Sequence, residues 1–201
     1  FKHAKTRAQG REAIDLLVAI DPSAEATFRA IAAFEMAGPD AARALPWLQA
    51  LIDGTEVADS FAVTFGSGLT PPKDVDPKTR AWARFSRAKL LAAVSLDAAA
   101  YLEAKAALEA LGDSCSALTQ AYAFAGKAAS VAEQRALLER RRAACHYDLA
   151  AEERAIRQAL LEPGGETPEP AALTRWFDAA LMAGATGRMR SLGRLLDENT
   201  A

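Results

Sequence analysis

The two cysteines are the residues whose type and spacing could do chemistry most directly. Cys115 lies at the predicted start of one helix and Cys145 at the predicted end of the next, 30 residues further along the chain. Because a helix rises about 1.5 Å per residue, two arms of similar length would bring both sulfurs to the open end of a hairpin. A disulfide there would stabilise the fold by about 3–4 kcal/mol. The alternative is a pair of unrelated, partly buried thiols.

The expected compartment depends on these thiols. A disulfide would place the protein in an oxidising, extracytoplasmic compartment, because the cytosol keeps thiols reduced. Without a disulfide, a cytoplasmic location is favoured. We expect no signal peptide, and because the chain starts at Phe1 rather than Met, we expect a processed form, a trimmed form or the ordered part of a longer protein.

Metal and nucleophilic chemistry are not expected. Cys145-His146 together with Cys115 would supply three ligands, whereas structural zinc normally has four. His3 and His146 are the only histidines, and no nucleophile elbow accompanies them for a Ser-His-Asp triad. The sequence therefore predicts neither a metal site nor a catalytic histidine.

Phosphate-binding and acid–base motifs are missing as well. The Gly66-Ser67-Gly68 segment lacks the Gly-Lys-Ser/Thr ending whose lysine and hydroxyl serve phosphates and magnesium. Glu152 and Glu153 are adjacent, so on a helix they point to different sides and make a poor acid–base pair. We therefore expect no cofactor and no catalytic residue, and we predict that the protein is not an enzyme.

The candidate partner-binding residues are arginines and phenylalanines. Arg135, Arg141 and Arg142 belong to a basic stretch of one helix, where consecutive residues splay around the axis and acidic neighbours are close in sequence. A solvated helix face is the leading interpretation, and contact with an acidic partner or a phosphate is the alternative. Phe61 and Phe65 lie beside a long loop and are the aromatic residues suspected of surface exposure.

Helices must position these side chains, and the clearest pair spans residues 28–53. Apolar residues recur at helical spacing on both sides of the sharp turn at residues 37–40. Gly38 suits a helix end because it accepts positive φ cheaply, and Asp40 can cap the next helix. Pro46 is expected in the first turn of the true second helix, after a helical lead-in, or at a kink.

This stretch resembles bacterial HEAT-type repeats. An alanine-rich helix ends in Gly38-Pro39, and a Leu-Pro-x-Leu helix follows, as in that family. The resemblance covers one unit, about a quarter of the chain, with weaker echoes at residues 110–113 and 183–186. It implies a right-handed α-α superhelix that binds partners on its concave side and implies no reaction. The irregular spacing leaves a TPR-like or unclassified α-α solenoid open.

The composition favours an all-α fold. The apolar fraction is 51% with only 7% aromatic residues, so alanine contributes much of it, and alanine is the best helix former. The net charge of −2 is ordinary, whereas a nucleic-acid binder is normally more basic. No apolar run approaches the roughly 20 residues that span a bilayer. We expect a single domain over residues 1–201, with a candidate seam at the loop 66–76.

About ten short helices are expected from apolar periodicity and from start and stop signals. They are placed at residues 11–20, 28–34 after a cap at Ser23, 41–53, 77–94, 96–111, 113 or 114–124, 131–145, 149–161, 168–181 and 189–196. A helix is favoured over a strand for residues 55–65. The strongest starts are Asp76-Pro77 and the capping box at residues 130–133. A single helix over residues 131–161 is the alternative to a turn at residues 146–148.

The leading functional hypothesis is a non-catalytic interaction module or scaffold subunit. Its stacked helices would hold a protein or peptide on their concave face. One alternative is a helical accessory or regulatory domain of an enzyme, with active groups on loops 66–73 and 163–167. The other is a HEAT-like nucleic-acid-binding protein, which the charge balance argues against. Membrane insertion is not expected.

Thiol titration of the denatured chain tests the cysteine pairing. A Cys115–Cys145 disulfide predicts no reactive thiol without reductant and two after reduction, because it would consume both cysteines of the chain, whereas two unrelated thiols would both react without reductant. The Cys115→Ser variant is the control, since it should leave Cys145 reactive without reductant. Two reactive thiols in the unreduced wild-type chain would contradict the pairing.

Overall fold

Helices make up the regular secondary structure in the part of the chain that the computed structural model describes, residues 6–66, 68–145, 147–161 and 168–200. Their bounds are α1 Arg7–Ile20, α2 Glu25–Met36, α3 Leu45–Asp53, α4 Asp59–Ala62, α5 Pro77–Ala93, α6 Asp97–Leu111, α7 Cys115–Ala128, α8 Val131–Ala144, α9 Leu149–Leu161, α10 Pro170–Met182 and α11 Thr186–Thr200. A 3₁₀ turn, Ala41–Ala44, precedes α3. The all-α prediction is confirmed.

The chain divides into two units, Phe1–Glu133 and Gln134–Ala201. Helices α1 to α7 belong to the first unit, and α9 to α11 belong to the second. The loop at residues 66–76, where a seam was predicted, lies within the first unit. That residues 1–201 form a single domain, and that a seam lies at residues 66–76, stay predictions.

The helical pair over residues 28–53 forms as predicted, with α2 packed against α3. The Asp40 side chain accepts a hydrogen bond from the Ala42 N–H group at 3.2 Å and so starts the 3₁₀ turn. Pro46 follows in the first turn of α3, where its missing N–H group would have no helical partner. The helical lead-in expected before Pro46 is therefore confirmed.

Gly38 serves a different purpose from the one predicted. The described glycines with positive φ are Gly54, Gly66, Gly68, Gly112 and Gly184, so Gly38 does not end α2 in the left-handed conformation. Instead, a Cβ atom built at Gly38 would lie 2.7 Å from Nη1 of Arg7. The absence of a side chain lets the guanidinium group lie close to the backbone.

An aromatic row of four buried side chains, Phe28, Trp47, Phe65 and Phe34, runs through the first unit. The ring centroids of Phe28 and Trp47 are 5.5 Å apart, as are those of Trp47 and Phe65, and those of Phe65 and Phe34 are 6.0 Å apart. Each pair meets edge to face, which contributes about 0.5–1.5 kcal/mol beyond the burial of area. The row joins α2, α3 and the segment after α4.

The described residues between 54 and 76 contain a single helical turn, α4. The chain then turns, with the Phe65 N–H group bonded to the Ala62 carbonyl at 2.9 Å, and the Phe65 ring enters the core at 3% exposure. Of the helix predicted for residues 55–65, only the part that forms α4 is confirmed, and the strand alternative is wrong. Burial of Phe65 against Trp47 outweighs the local preference for a longer helix.

Two of the predicted helix starts are confirmed. The Asp76 carboxylate caps α5 by accepting from the N–H groups of Lys78 at 2.9 Å and Thr79 at 3.2 Å. Ser130 and Glu133 exchange the reciprocal bonds of a capping box at the start of α8, and the bonds from Ser130 lower the pKa of Glu133.

The cap predicted at Ser23 is wrong. Ala24 occupies the N-cap position of α2 and offers no side-chain bond. The Ser23 N–H and hydroxyl groups both donate to Asp21 Oδ1, at 3.0 and 2.9 Å. Serine thus closes a local turn after α1 instead of starting α2, a competition that short polar side chains often create.

The second unit is built on three mutually packed helices, α9, α10 and α11. Their core centres on Trp176, which is fully buried and donates its indole N–H group to the Leu149 carbonyl at 2.9 Å. Ile156, Ala180 and Leu192 complete that core. The indole bond matters because a buried polar group without a partner would destabilise the unit.

Helices α8 and α9 are separate, so the single-helix alternative is wrong. The Asp148 carboxylate starts α9 by accepting from the N–H groups of Ala150 at 3.0 Å and Ala151 at 3.1 Å. Burial acts to raise the pKa of Asp148, but the bonds from Ala151 and Arg141 outweigh it and hold that pKa below its ordinary value. His146 and the cap predicted at Thr167 lie outside the described residues.

Alanine substitutions at two glycines distinguish backbone strain at Gly54 from a side-chain clash at Gly38. Gly54→Ala should lower the free energy of unfolding by about 1 kcal/mol, because Gly54 has φ of 76° and a Cβ atom is disfavoured in that conformation. Gly38→Ala should lower it less, because the new Cβ atom meets only the flexible end of Arg7. Urea unfolding of both variants measures this difference. An equal or greater loss for Gly38→Ala would contradict this account.

Candidate functional site

Three arginines surround an open cleft of about 600 Å³ in the first unit. We call it the arginine cleft. Its lining residues are Arg7, Ala8, Arg11, Phe34, Glu35, Pro39, Asp40, Arg43 and Thr64. The cleft therefore draws on α1, the end of α2, the 3₁₀ turn and the segment after α4.

Local helix signals place the first two arginines. Thr6 caps α1 through its hydroxyl group, which accepts from the Gln9 N–H group at 3.2 Å, while the Gln9 side chain accepts from the Thr6 N–H group at 3.3 Å. This capping box starts the helix at Arg7. Arg7 and Arg11 are four residues apart and so lie on the same face of α1.

Arg7 is held against the end of α2. Its guanidinium carbon lies 4.0 Å from the centroid of the Phe34 ring, and its Nη1 atom donates to the Phe34 carbonyl at 3.2 Å. A cation–π contact of this kind contributes about 0.5–1 kcal/mol at an exposed site. Gly38 provides the space for the group.

Arg11 lies over the next ring of the aromatic row. Its guanidinium carbon is 4.7 Å from the Phe65 centroid. Nε donates to Asp15 Oδ1 at 2.8 Å, and Nη2 donates to the Thr64 carbonyl. The Arg11 side chain thereby links α1 to the segment that buries Phe65.

Arg43 comes from the opposite side of the cleft. Its Nε atom donates to Glu35 Oε2 at 3.2 Å, and its guanidinium carbon lies 6.0 Å from the Phe61 centroid. The Glu35 side chain is only 4% exposed, whereas the Arg43 side chain is 41% exposed. A buried carboxylate needs a charged or hydrogen-bonding partner, and Arg43 supplies it from the edge of the solvent.

The charges of the cleft are not fully balanced. Arg11 is paired with Asp15 and Arg43 with Glu35. Within the described part of the chain, Arg7 has no carboxylate within ion-pair distance; its contacts are the ring and the carbonyl of Phe34. The cleft therefore has the chemistry to bind a negatively charged group.

The two phenylalanines predicted as partner-binding residues lie under the arginines. Phe61 is half-buried and faces Arg43. Phe65 is buried and is covered by Arg11, so the surface exposure suspected for its ring is wrong. Their role in partner binding stays a prediction, and the groups that face solvent here are the arginines.

The three arginines predicted on α8 belong to the second unit. Arg141 is 7% exposed and pairs with Asp148. Arg142 contacts both carboxylate oxygens of Glu152, at 2.8 and 2.9 Å, and these bonds raise the pKa of its guanidinium. Arg135 is exposed. The contacts of Arg141 and Arg142 favour a structural role, and partner binding by the three stays a prediction.

Arg7, Arg11 and Arg43 were not among the residues that the sequence predicted to bind a partner. A usable signal was present in the spacing Thr6-x-x-Gln9, which is a capping-box pattern. It would have moved the start of the first helix from Arg11 back to Arg7 and shown that both arginines share one face. No local pattern predicts that Arg43 lines the same cleft, because its position relative to α1 depends on tertiary packing.

The loops proposed for an enzymatic role show little chemistry in the described residues. A second cavity of about 350 Å³ borders the loop 66–73, and Asp59 is the one ionisable residue among its lining side chains. Residues 163–167 lie outside the described part of the chain. No group of three or more metal-binding side chains occurs among the residues that the structure describes. Neither Cys115 nor Cys145 is a free thiol, and their pairing stays a prediction.

No known protein family, curated protein or solved structure matches this chain at a significant level. The described helices include none that is both long enough and apolar enough to cross a membrane.

A pair of substitutions tests the partnership of Arg43 and Glu35. Arg43→Gln should lower the free energy of unfolding by about 2 kcal/mol, because it leaves a buried carboxylate without its partner. Adding Glu35→Gln should restore most of this loss, because a neutral amide then replaces the buried charge. Urea unfolding of the single and double variants measures the coupling.

Arg29→Gln is the matched control for these variants. Arg29 also stacks on an aromatic ring, with its guanidinium carbon 5.2 Å from the Trp82 centroid, but it lies outside the cleft. Arg29→Gln should lower the free energy of unfolding by less than about 1 kcal/mol. If Arg43→Gln costs no more than this control, Glu35 does not depend on Arg43.

Proposed function

We propose that this chain is a non-catalytic helical interaction module that binds a segment of a partner protein through its first unit. The order of helix packing in that unit supports this. The packed pairs are α1 with α2, α2 with α3, α3 with α5, α5 with α6, and α6 with α7. Each helix thus contacts its neighbours in sequence, apart from the single turn α4.

Contacts one step further along the chain support a stacked arrangement. Helix α5 contacts α2 and α7 in addition to its direct neighbours. In α-α repeat proteins, each helical pair contacts mainly the pairs before and after it. We propose on this basis that the first unit is a right-handed, HEAT- or TPR-like superhelix, and that the resemblance over residues 28–53 reflects one of its repeats.

The observation that carries the binding function is the arginine cleft. Arginine is enriched at protein interfaces, where its guanidinium group combines stacking with directed hydrogen bonds. Here three guanidinium groups are held in place beside an open volume of about 600 Å³. A groove of this kind is a site for a side chain or chain end of a partner.

Isolation of the native complex tests this function. The chain should be purified from its source cells under native conditions, and the bound protein identified and then recombined with the purified chain. We expect a single partner at fixed stoichiometry, with a dissociation constant of about 10 µM or lower by calorimetry. Hydrogen exchange should show protection on binding within residues 6–66, which contain the arginine cleft.

The same purification with the tag alone is the control. A chain that purifies without any protein, or a captured protein that fails to bind when both components are pure, would overturn the proposed function. Protection confined to the second unit would overturn the assignment to the first.

A further inference from the structure

We infer that the arginine cleft is a receptor for a carboxylate group of an acidic peptide segment. This inference rests on the proposed function and names the chemistry that its partner would present. Arg7, Arg11 and Arg43 are the residues that would hold the carboxylate. Their side chains reach the cleft from two sides and are accessible to solvent.

Unused hydrogen-bond donors are the first argument. A guanidinium group carries five N–H donors and no acceptor. In the described structure, Arg7 donates one of them to the Phe34 carbonyl and Arg43 donates one to Glu35. Arg11 donates two, to Asp15 and the Thr64 carbonyl. Each group therefore keeps donors for a ligand, and two parallel N–H groups of one guanidinium match the two oxygens of a carboxylate.

The charge balance selects the class of anion. Arg11 and Arg43 have their own carboxylates, Asp15 and Glu35, and Asp40 adds a further negative charge to the lining. Among the described residues, Arg7 has no carboxylate partner. Asp15 is not among the lining residues, so the lining side chains carry three positive charges, on the arginines, and two negative charges, on Glu35 and Asp40. This surplus of one suits a singly charged carboxylate, whereas Glu35 and Asp40 would repel a doubly charged phosphate more strongly.

The arginines are held in position before a ligand arrives. Their guanidinium carbons lie 4.0 Å, 4.7 Å and 6.0 Å from the centroids of Phe34, Phe65 and Phe61. A long side chain loses rotational freedom when it is fixed by a ligand, which weakens binding. Contacts with rings and carbonyls have already removed part of this freedom, so less is lost on binding.

Titration with short peptides, followed by NMR of the ¹⁵N-labelled chain, tests the inference. The probe is an oligoglutamate blocked by an acetyl and an amide group, and the reference is the matching blocked oligoglutamine. We expect saturable shifts of the arginine Nε–H signals and of the Gly38 and Thr64 amides with oligoglutamate. Binding should be at least about tenfold tighter than for oligoglutamine.

Two further arms identify the source of the anion. Oligoglutamine with a free carboxyl terminus carries only a terminal carboxylate. If this peptide binds, the ligand of the cleft is assigned as the carboxyl terminus of a chain. Inorganic phosphate should bind more weakly than oligoglutamate. Tighter binding of phosphate would overturn the carboxylate assignment.

Three variants make the test specific to the cleft. Arg7→Gln should weaken oligoglutamate binding about tenfold, because it removes the cation that lacks a carboxylate. Gly38→Ala should also weaken it without any change of charge, because the added Cβ atom displaces the Arg7 guanidinium. Arg29→Gln removes the same charge from an arginine stacked on Trp82 outside the cleft and should leave binding unchanged.

The outcomes separate this inference from the proposed function. Equal weakening by Arg7→Gln and Arg29→Gln, or no saturable shift, would overturn the carboxylate receptor. If the native partner still binds the Arg7→Gln and Gly38→Ala variants with wild-type affinity, the interaction module stands and the receptor does not. If oligoglutamate binds as expected but no partner protein is found, the carboxylate receptor stands and the interaction module does not.

Discussion

The contact between arginine side chains and the aromatic row is the interaction on which the first unit depends. Phe65 is the point where this matters most. It comes from a segment with a single helical turn, yet it lies between Trp47 and Phe34 and beneath Arg11. Removal of the ring would take away its contact with Arg11 and leave the hydrogen bond from Arg11 to the Thr64 carbonyl, whereas removal of the guanidinium group would take away both. The same contacts that close the core thus also fix the geometry of the cleft.

Because of this double use of arginine, the proposed ligand would require little rearrangement of the cleft. A guanidinium group presents its flat face to a ring and its edge to hydrogen-bond acceptors. Stacking over Phe34 and Phe65 occupies the faces of Arg7 and Arg11, so N–H groups at the edges remain for a ligand. Glu35 adds a constraint of its own, because a buried carboxylate holds Arg43 at the opposite wall.

Much of the fold could be predicted from the sequence because it depends on local signals. Asp40, Asp76 and the Ser130–Glu133 box start helices through bonds within a few residues. The cleft could not be predicted in this way. Arg7 lies 27 residues in sequence from its acceptor at Phe34. The need for glycine at position 38 depends on the Arg7 side chain, which reaches Gly38 only once α1 has packed beside it. The surface exposure predicted for Phe65 was wrong for the same reason, because burial of its ring depends on Trp47 and not on its neighbours in sequence.

The arginine Hδ chemical shifts in the free protein test the central claim most directly, since protons held over an aromatic face move upfield. We expect upfield shifts for Arg7 and Arg11 that disappear in Phe34→Leu and Phe65→Leu, respectively, provided that each variant stays folded. Arg190, an exposed arginine of α11, should show shifts typical of an unstructured chain. Unstructured-chain shifts for Arg7 and Arg11 in the wild-type protein would contradict this structure of the cleft, because the two guanidinium groups would then not be held over the Phe34 and Phe65 rings.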